Sequence, residues 1–118
     1  MRGIPEMKLP LANEAELPRA KIVAYLLDPN HRSGKSKARF FGGHGYAVER
    51  WQELAEALRR RAGENGVVKQ EATPLGLRLV VEGSLTLRDG AVALIRSVWF
   101  IESGERVPRP ATAYPIRP

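Results

Sequence analysis

At 118 residues, the chain is one domain's worth of polypeptide, and its net charge of +6 with a pI near 10.2 makes it strongly basic. It has no cysteine, which excludes disulfides and thiolate metal sites. No stretch approaches the ~20 apolar residues of a membrane helix. Met1 to Pro10 has neither an apolar run nor a small-residue cleavage site, so a soluble, cytoplasmic chain without membrane contact is expected.

Residues 1–17, with Pro5 and Pro10, read as an N-terminal arm lying on a domain of residues 18–118. Pro18 suits the first turn of a helix, where a missing N–H costs nothing. Ile22, Val23, Leu26 and Leu27 recur at helical spacing, and Asp28-Pro29 ends the helix. Ser33 is placed to cap a short helix that begins near Gly34, buries Phe40 and Phe41, and breaks at Gly42, Gly43 and Gly45. A further helix is predicted from about Val48 to Arg61, with Trp51, Leu54, Ala55 and Leu58 on one face.

Beyond Gly66 the period changes to two. Val67–Ala72 is a short strand. From Leu77 the chain alternates, with Leu77, Leu79, Val81 and Leu85 on one side. Asp89-Gly90 turns it. Ala91–Glu102 is a long strand whose core face is expected to carry Val92, Leu94, Val98 and Phe100, with Arg96 among them. The last strand, Ala111–Tyr114, is hemmed by prolines, which favours an edge. The expected fold class is α+β: two or three N-terminal helices packed on a four-stranded antiparallel β-meander.

The charge is mostly arginine, fourteen against five lysines. Guanidinium pairs with phosphate at two points, so RNA is the first partner to consider. Plain solubility, or a GC-rich genome, gives the same surplus. Ser33-Gly34-Lys35-Ser36 resembles the end of a phosphate-binding loop but lacks the earlier glycine and a preceding strand. The two aspartates, Asp28 and Asp89, both fall in turns, so neither a metal site nor a cofactor is expected. Metal-free cleavage of RNA by its own 2′-hydroxyl remains open. His31 then serves as acid or base, Lys35 and Arg96 stabilise the phosphorane-like transition state, and Lys37, Arg39, His44, Thr112 and Tyr114 contact substrate. The plainer reading is a solvated basic turn with one capping histidine. Residues 31–61 hold eight basic and three acidic side chains, a net charge of +5, so any RNA bound there is expected to dissociate steeply with salt.

Residues 9–115 resemble a family of small, functionally uncharacterised bacterial domains, found alone or at the C-terminus of adhesin-like secreted proteins. The matching stretches are Tyr25-Leu26-Leu27-Asp28-Pro29 with His31, Gly34, Lys37-Ala38 and Phe40-Phe41; Gly45-Tyr46; Trp51 with Leu54; Val98-Trp99; Pro108-Arg109; and Thr112-Ala113-Tyr114-Pro115. Its outline is similar to the barnase, EndoU, colicin D and RelE-like ribonuclease fold. That resemblance implies a toxin neutralised by a small antitoxin or immunity protein. One departure is Arg32, where the family is expected to carry proline. Three functions therefore compete: a toxin-type ribonuclease, a non-catalytic partner-binding half of a two-gene pair, and a basic nucleic-acid-binding domain that uses Arg59 to Arg61 and the cluster around Lys35.

Overall fold

The computed structural model describes residues 9–64 and 66–116, so the first eight residues of the expected arm lie outside it. The rest of the arm packs against the body, with Leu9, Ala12, Ala15 and Leu17 all buried in the core. Helix α1 (Arg19–Lys21) starts after Pro18, as the missing N–H allows, and runs directly into a π turn, Ile22–Leu26. The turn closes with the Leu27 N–H on the Ile22 carbonyl at 2.8 Å, one residue wider than an α turn. Its Ile22 and Leu26 are fully buried.

Helix α2 (Lys35–Gly43) follows, then a 3₁₀ turn (Val48–Arg50) that leads into α3 (Trp51–Glu64). α3 presents Leu54, Ala57, Leu58 and Ala62 to the core. Arg59 and Arg61 tie it down. Arg59 donates to the Asn13 carbonyl and pairs with Glu56, while Arg61 donates to the Ser84 carbonyl and to Glu64.

The four strands, β1 (Val67–Thr73), β2 (Gly76–Thr86), β3 (Val92–Glu102) and β4 (Arg109–Pro115), form an antiparallel sheet in sequence order, which leaves β1 and β4 as edges. The α+β class, the helices before the sheet and the meander are thus as the periodicity predicts. A shift in register between Val67 and Lys69 bulges β1.

One face assignment is corrected. The face of β3 that meets the helices carries Ile95, Ser97 and Trp99, not Val92, Leu94, Val98 and Phe100. The hairpin fixes this phase. Leu79 pairs with Trp99, Val81 with Ser97 and Leu85 with Ala93, so the odd-numbered core residues of β2 select the odd-numbered side of β3. Both sides of β3 are apolar, and only the pairing partner tells them apart. Ser97 is tolerated in the core because the Trp99 indole N–H donates to its hydroxyl at 2.9 Å. Arg96 consequently lies on the second face of the sheet, with Arg78, Glu82, Leu94, Phe100, Thr112 and Tyr114, where the β2–β3–β4 register sets Arg78 beside Phe100, Ser84 beside Leu94, and Glu82, Arg96 and Tyr114 in one row. Val80 and Val98, adjacent in the register, are buried at its centre.

Candidate functional site

The start of α2 is built by His31 and not by Ser33. His31 Nδ1 accepts the backbone N–H groups of Ser33 at 3.1 Å and Gly34 at 3.0 Å, and its carbonyl accepts the Lys35 N–H. This is an N-cap in function, with an imidazole doing what a hydroxyl or carboxylate usually does. It requires a lone pair on Nδ1, so the ring proton sits on Nε2 and that edge alone remains free to donate. The ring stands edge-on to Tyr25, 4.8 Å between centroids.

Gly34 makes this approach possible. A methyl group there would collide with the Tyr25 carbonyl and come within 2.9 Å of its ring Cδ1. The π turn and the start of α2 are therefore in backbone contact, which fixes Tyr25. Its hydroxyl shares a 3.0 Å hydrogen bond with Thr112 on β4. Lys37, which donates to the Ser33 carbonyl at 3.0 Å, holds its ammonium 5.4 Å from the Tyr25 ring and 5.7 Å from the Tyr114 ring. Lys21 covers the Tyr25 ring as well, at 5.2 Å. On the sheet, Arg96 lies 5.8 Å from the Tyr114 ring, donates to its hydroxyl at 3.4 Å, and pairs with Glu82 at 2.6 Å. The Tyr114 hydroxyl and the Glu82 carboxylate together raise the Arg96 pKa above its ordinary value, so the guanidinium stays charged.

Two tyrosines and three cations thus form a continuous cluster where the π turn, α2, β3 and β4 meet. It gathers Lys37, Arg96, Thr112 and Tyr114 from the residues singled out in the sequence, with His31 at its margin through Tyr25. It does not gather Lys35, Arg39 or His44. Lys35 and Arg39 border a separate groove on α2. His44 packs on Phe40 and binds Asp89 at 2.8 Å, which fastens the β2–β3 turn to the end of α2. The Ala91 backbone N–H and then His44 depress the Asp89 pKa. Among the arginines proposed for nucleic acid, Arg59 and Arg61 are spent on structural ties, as described above.

Sequence reasoning missed Tyr25, Lys21 and Glu82. For Glu82 a signal existed, since the same hairpin register that pairs Leu79 with Trp99 places Glu82 opposite Arg96. Tyr25 stands in the family-like stretch, but neither its tie to Thr112 nor the place of Lys21 over its ring follows from spacing, because both depend on the π turn. Among the described residues no group of His, Asp and Glu side chains could hold a metal ion, and no helix is long and apolar enough to cross a membrane.

Comparison with known proteins yields three findings. Residues 8–117 match the family described as Domain of unknown function (DUF6883). No curated protein matches the chain. Among solved structures, a chain of a contact-dependent growth inhibition toxin–immunity protein complex from Klebsiella pneumoniae 342 shares the fold with a TM-score of 0.66 at 16% identity, covering 85% of this chain and 98% of that one.

Proposed function

The chain belongs to the DUF6883 family, and from that premise we propose that it is a module of a toxin–immunity pair, and specifically the toxin half, a metal-independent endoribonuclease. The observation that carries this reading is the pair of cations, Lys37 and Arg96, held on the Tyr114 ring with a carboxylate, Glu82, paired with Arg96 through one of its two oxygens. A scissile phosphate seated between Lys37 and Arg96 has two fixed positive charges for the extra negative charge of the transition state. Glu82 takes the proton from the 2′-hydroxyl, whose oxygen attacks phosphorus. The bond from phosphorus to the 5′-oxygen breaks, and the Tyr114 hydroxyl supplies the proton that the leaving oxygen takes up. The products are a 2′,3′-cyclic phosphate and a free 5′-hydroxyl. His31, with Nδ1 committed to the cap, contributes at most an Nε2–H donor to substrate. Thr112 and Tyr25 position the β4 side of the site, and Lys37 takes the role that the sequence alone gave to Lys35.

The test is a purified-protein RNA cleavage assay with and without chelator. Cleavage is expected to survive chelation and to leave cyclic phosphate ends. Arg96→Ala, Glu82→Gln and Lys37→Ala are each expected to lower the rate by about 10²–10⁴ while the thermal melt stays cooperative, and Lys35→Ala to leave it unchanged. Activity that disappears with chelator refutes the mechanism, and equal activity in all four variants refutes the site. A second reading, the immunity half of such a pair, is favoured by one observation: His31, the residue best suited to proton transfer, is committed to capping α2. Expression separates the two, since the toxin half slows growth and the immunity half does not.

A further inference from the structure

Lys35 and Arg39 are left over by the cluster, and they are not scattered. With Ala38 and Gly42 they form a stripe at intervals of three and four along α2. Lys37 sits roughly 150° away around the helix axis, facing the other side. The stripe borders a groove of about 380 Å³ whose floor includes Leu27 and the Tyr46 ring and whose far lip is Val48. Leu27, Ala38 and Tyr46 are buried there, whereas Lys35, Arg39 and Val48 are exposed. Neither cation has a hydrogen bond, ion pair or ring contact among the described residues. The electrostatics of α2 also run against its own dipole. Its first turn holds Lys35 and no acidic residue, so positive side-chain charge is added to the positive helix end.

We infer that this groove is a docking surface for an acidic segment of a partner protein, anchored by an aliphatic side chain on the apolar floor. Charge complementarity sets the sign of the partner: two unpaired cations and an uncompensated helix end call for carboxylates. The floor sets its class. A single-stranded nucleic acid gains affinity by stacking bases on exposed aromatic faces, but the one aromatic ring lining this groove, Tyr46, is buried. An aliphatic side chain loses water on the exposed Pro29 and Val48 of the lining without needing such a face. Because the groove and the Lys37 cluster occupy different sides of α2, the inference does not rest on the cleavage mechanism.

The experiment follows backbone amide resonances of the full-length, isotope-labelled protein. The probe is a synthetic, end-capped peptide of Glu-Glu-Leu repeats, compared with its Gln-for-Glu counterpart and with an oligouridine. The acidic peptide is expected to shift amides between residues 35 and 48, and the Gln peptide and oligouridine to leave them in place. The double substitution Lys35→Glu with Arg39→Glu is expected to weaken binding at least ~10-fold, the size of 1.4 kcal/mol. Gly42→Gln blocks the groove without straining the helix, because a Cβ there meets nothing within 4 Å, and is expected to weaken binding while the melting temperature holds. The inference is overturned by any of four results: no shifts at millimolar peptide, shifts confined to other residues, indifference to charge reversal, or preferential occupation by oligouridine.

Discussion

The two sides of α2 carry the same kind of charge in opposite physical states. On the Lys37 side every cation is held: Lys37 by the Ser33 carbonyl and two tyrosine rings, Lys21 by Tyr25, Arg96 by Glu82 and Tyr114. On the Lys35 side two cations stand in solvent beside an apolar floor. Held charges have surrendered their conformational freedom in advance and suit a ligand of fixed geometry. Free charges steer and adapt, and their contribution falls with salt. A count of basic residues between 31 and 61 treats Lys35 and Lys37 alike, although they stand on opposite sides of α2 and only Lys37 meets the Arg96 cluster.

The largest expected effect breaks both sides together. Gly34→Ala drives a methyl group into the Tyr25 backbone, and overpacking of this kind typically costs about 1–3 kcal/mol. A chemical denaturation midpoint reads the loss, and tyrosine ring resonances are expected to shift with it. An unchanged midpoint means the contact between the π turn and α2 is not as tight as described.

His31→Ala removes the cap of α2 and is expected to cost about 0.5–2 kcal/mol, with His31→Asn restoring most of it because a side-chain carbonyl can also accept those N–H groups. This sharpens the comparison on the catalytic side. If RNA cleavage also returns with asparagine, the histidine is structural. If stability returns and cleavage does not, its Nε2–H is used on substrate.

Tyr25→Phe deletes only the hydrogen bond to Thr112 and is expected to cost about 0.5–1.5 kcal/mol, the net worth of such a bond. Thr112→Val is expected to cost a similar amount, and the double variant less than the sum, as a mutant cycle on a real contact requires. Lys35→Ala and Arg39→Ala, on the free side, are expected to change stability by no more than ~0.5 kcal/mol.

The smallest effect is a pH dependence at the floor of the groove. Burial raises the Tyr46 pKa above its ordinary 10.0. A raised folded-state value means the contribution is fully present below pH 10.0 and is lost as pH climbs from there, because the unfolded chain releases the phenolic proton first. Tyr46→Phe is expected to flatten the alkaline limb of the stability curve, and an unaltered limb shows the ring is wetter than its burial implies.

Much of this molecule is legible in the sequence wherever a single period dominates. The amphipathic pattern around Leu54 and Leu58 gives α3, and the alternation from Leu77 gives β2. The family-like stretch at Tyr25 to Phe41 marks the region where the cluster forms. What fails to be legible is what depends on a partner or a rare backbone state. β3 is apolar on both faces, so its phase comes from β2 and the turn between them. The π turn has no propensity signature, and the capping role of His31 becomes visible only when the two N–H groups point at it. Lys37 and Arg96 are far apart in sequence and meet through the contact of α2 with β4, so no spacing rule links them.

The π turn also carries a lesson about length. It holds one residue more than an α turn would between Ile22 and Leu27, and the backbone contact at Gly34 closes the segment from the other end. The stretch from Pro18 to Gly34 is therefore a fixed measure between two anchors. Deleting one residue from Ile22–Leu26 lets an ordinary helix form, and local helical content rises. Tyr25 and Leu26 then lose the offset that the wide turn supplies, and the tie to Thr112 and the buried place of Leu26 are expected to go with it. A shorter relative that keeps the same side chains is thus expected to be a better helix and a worse site, so length in this segment reports on function more directly than identity does.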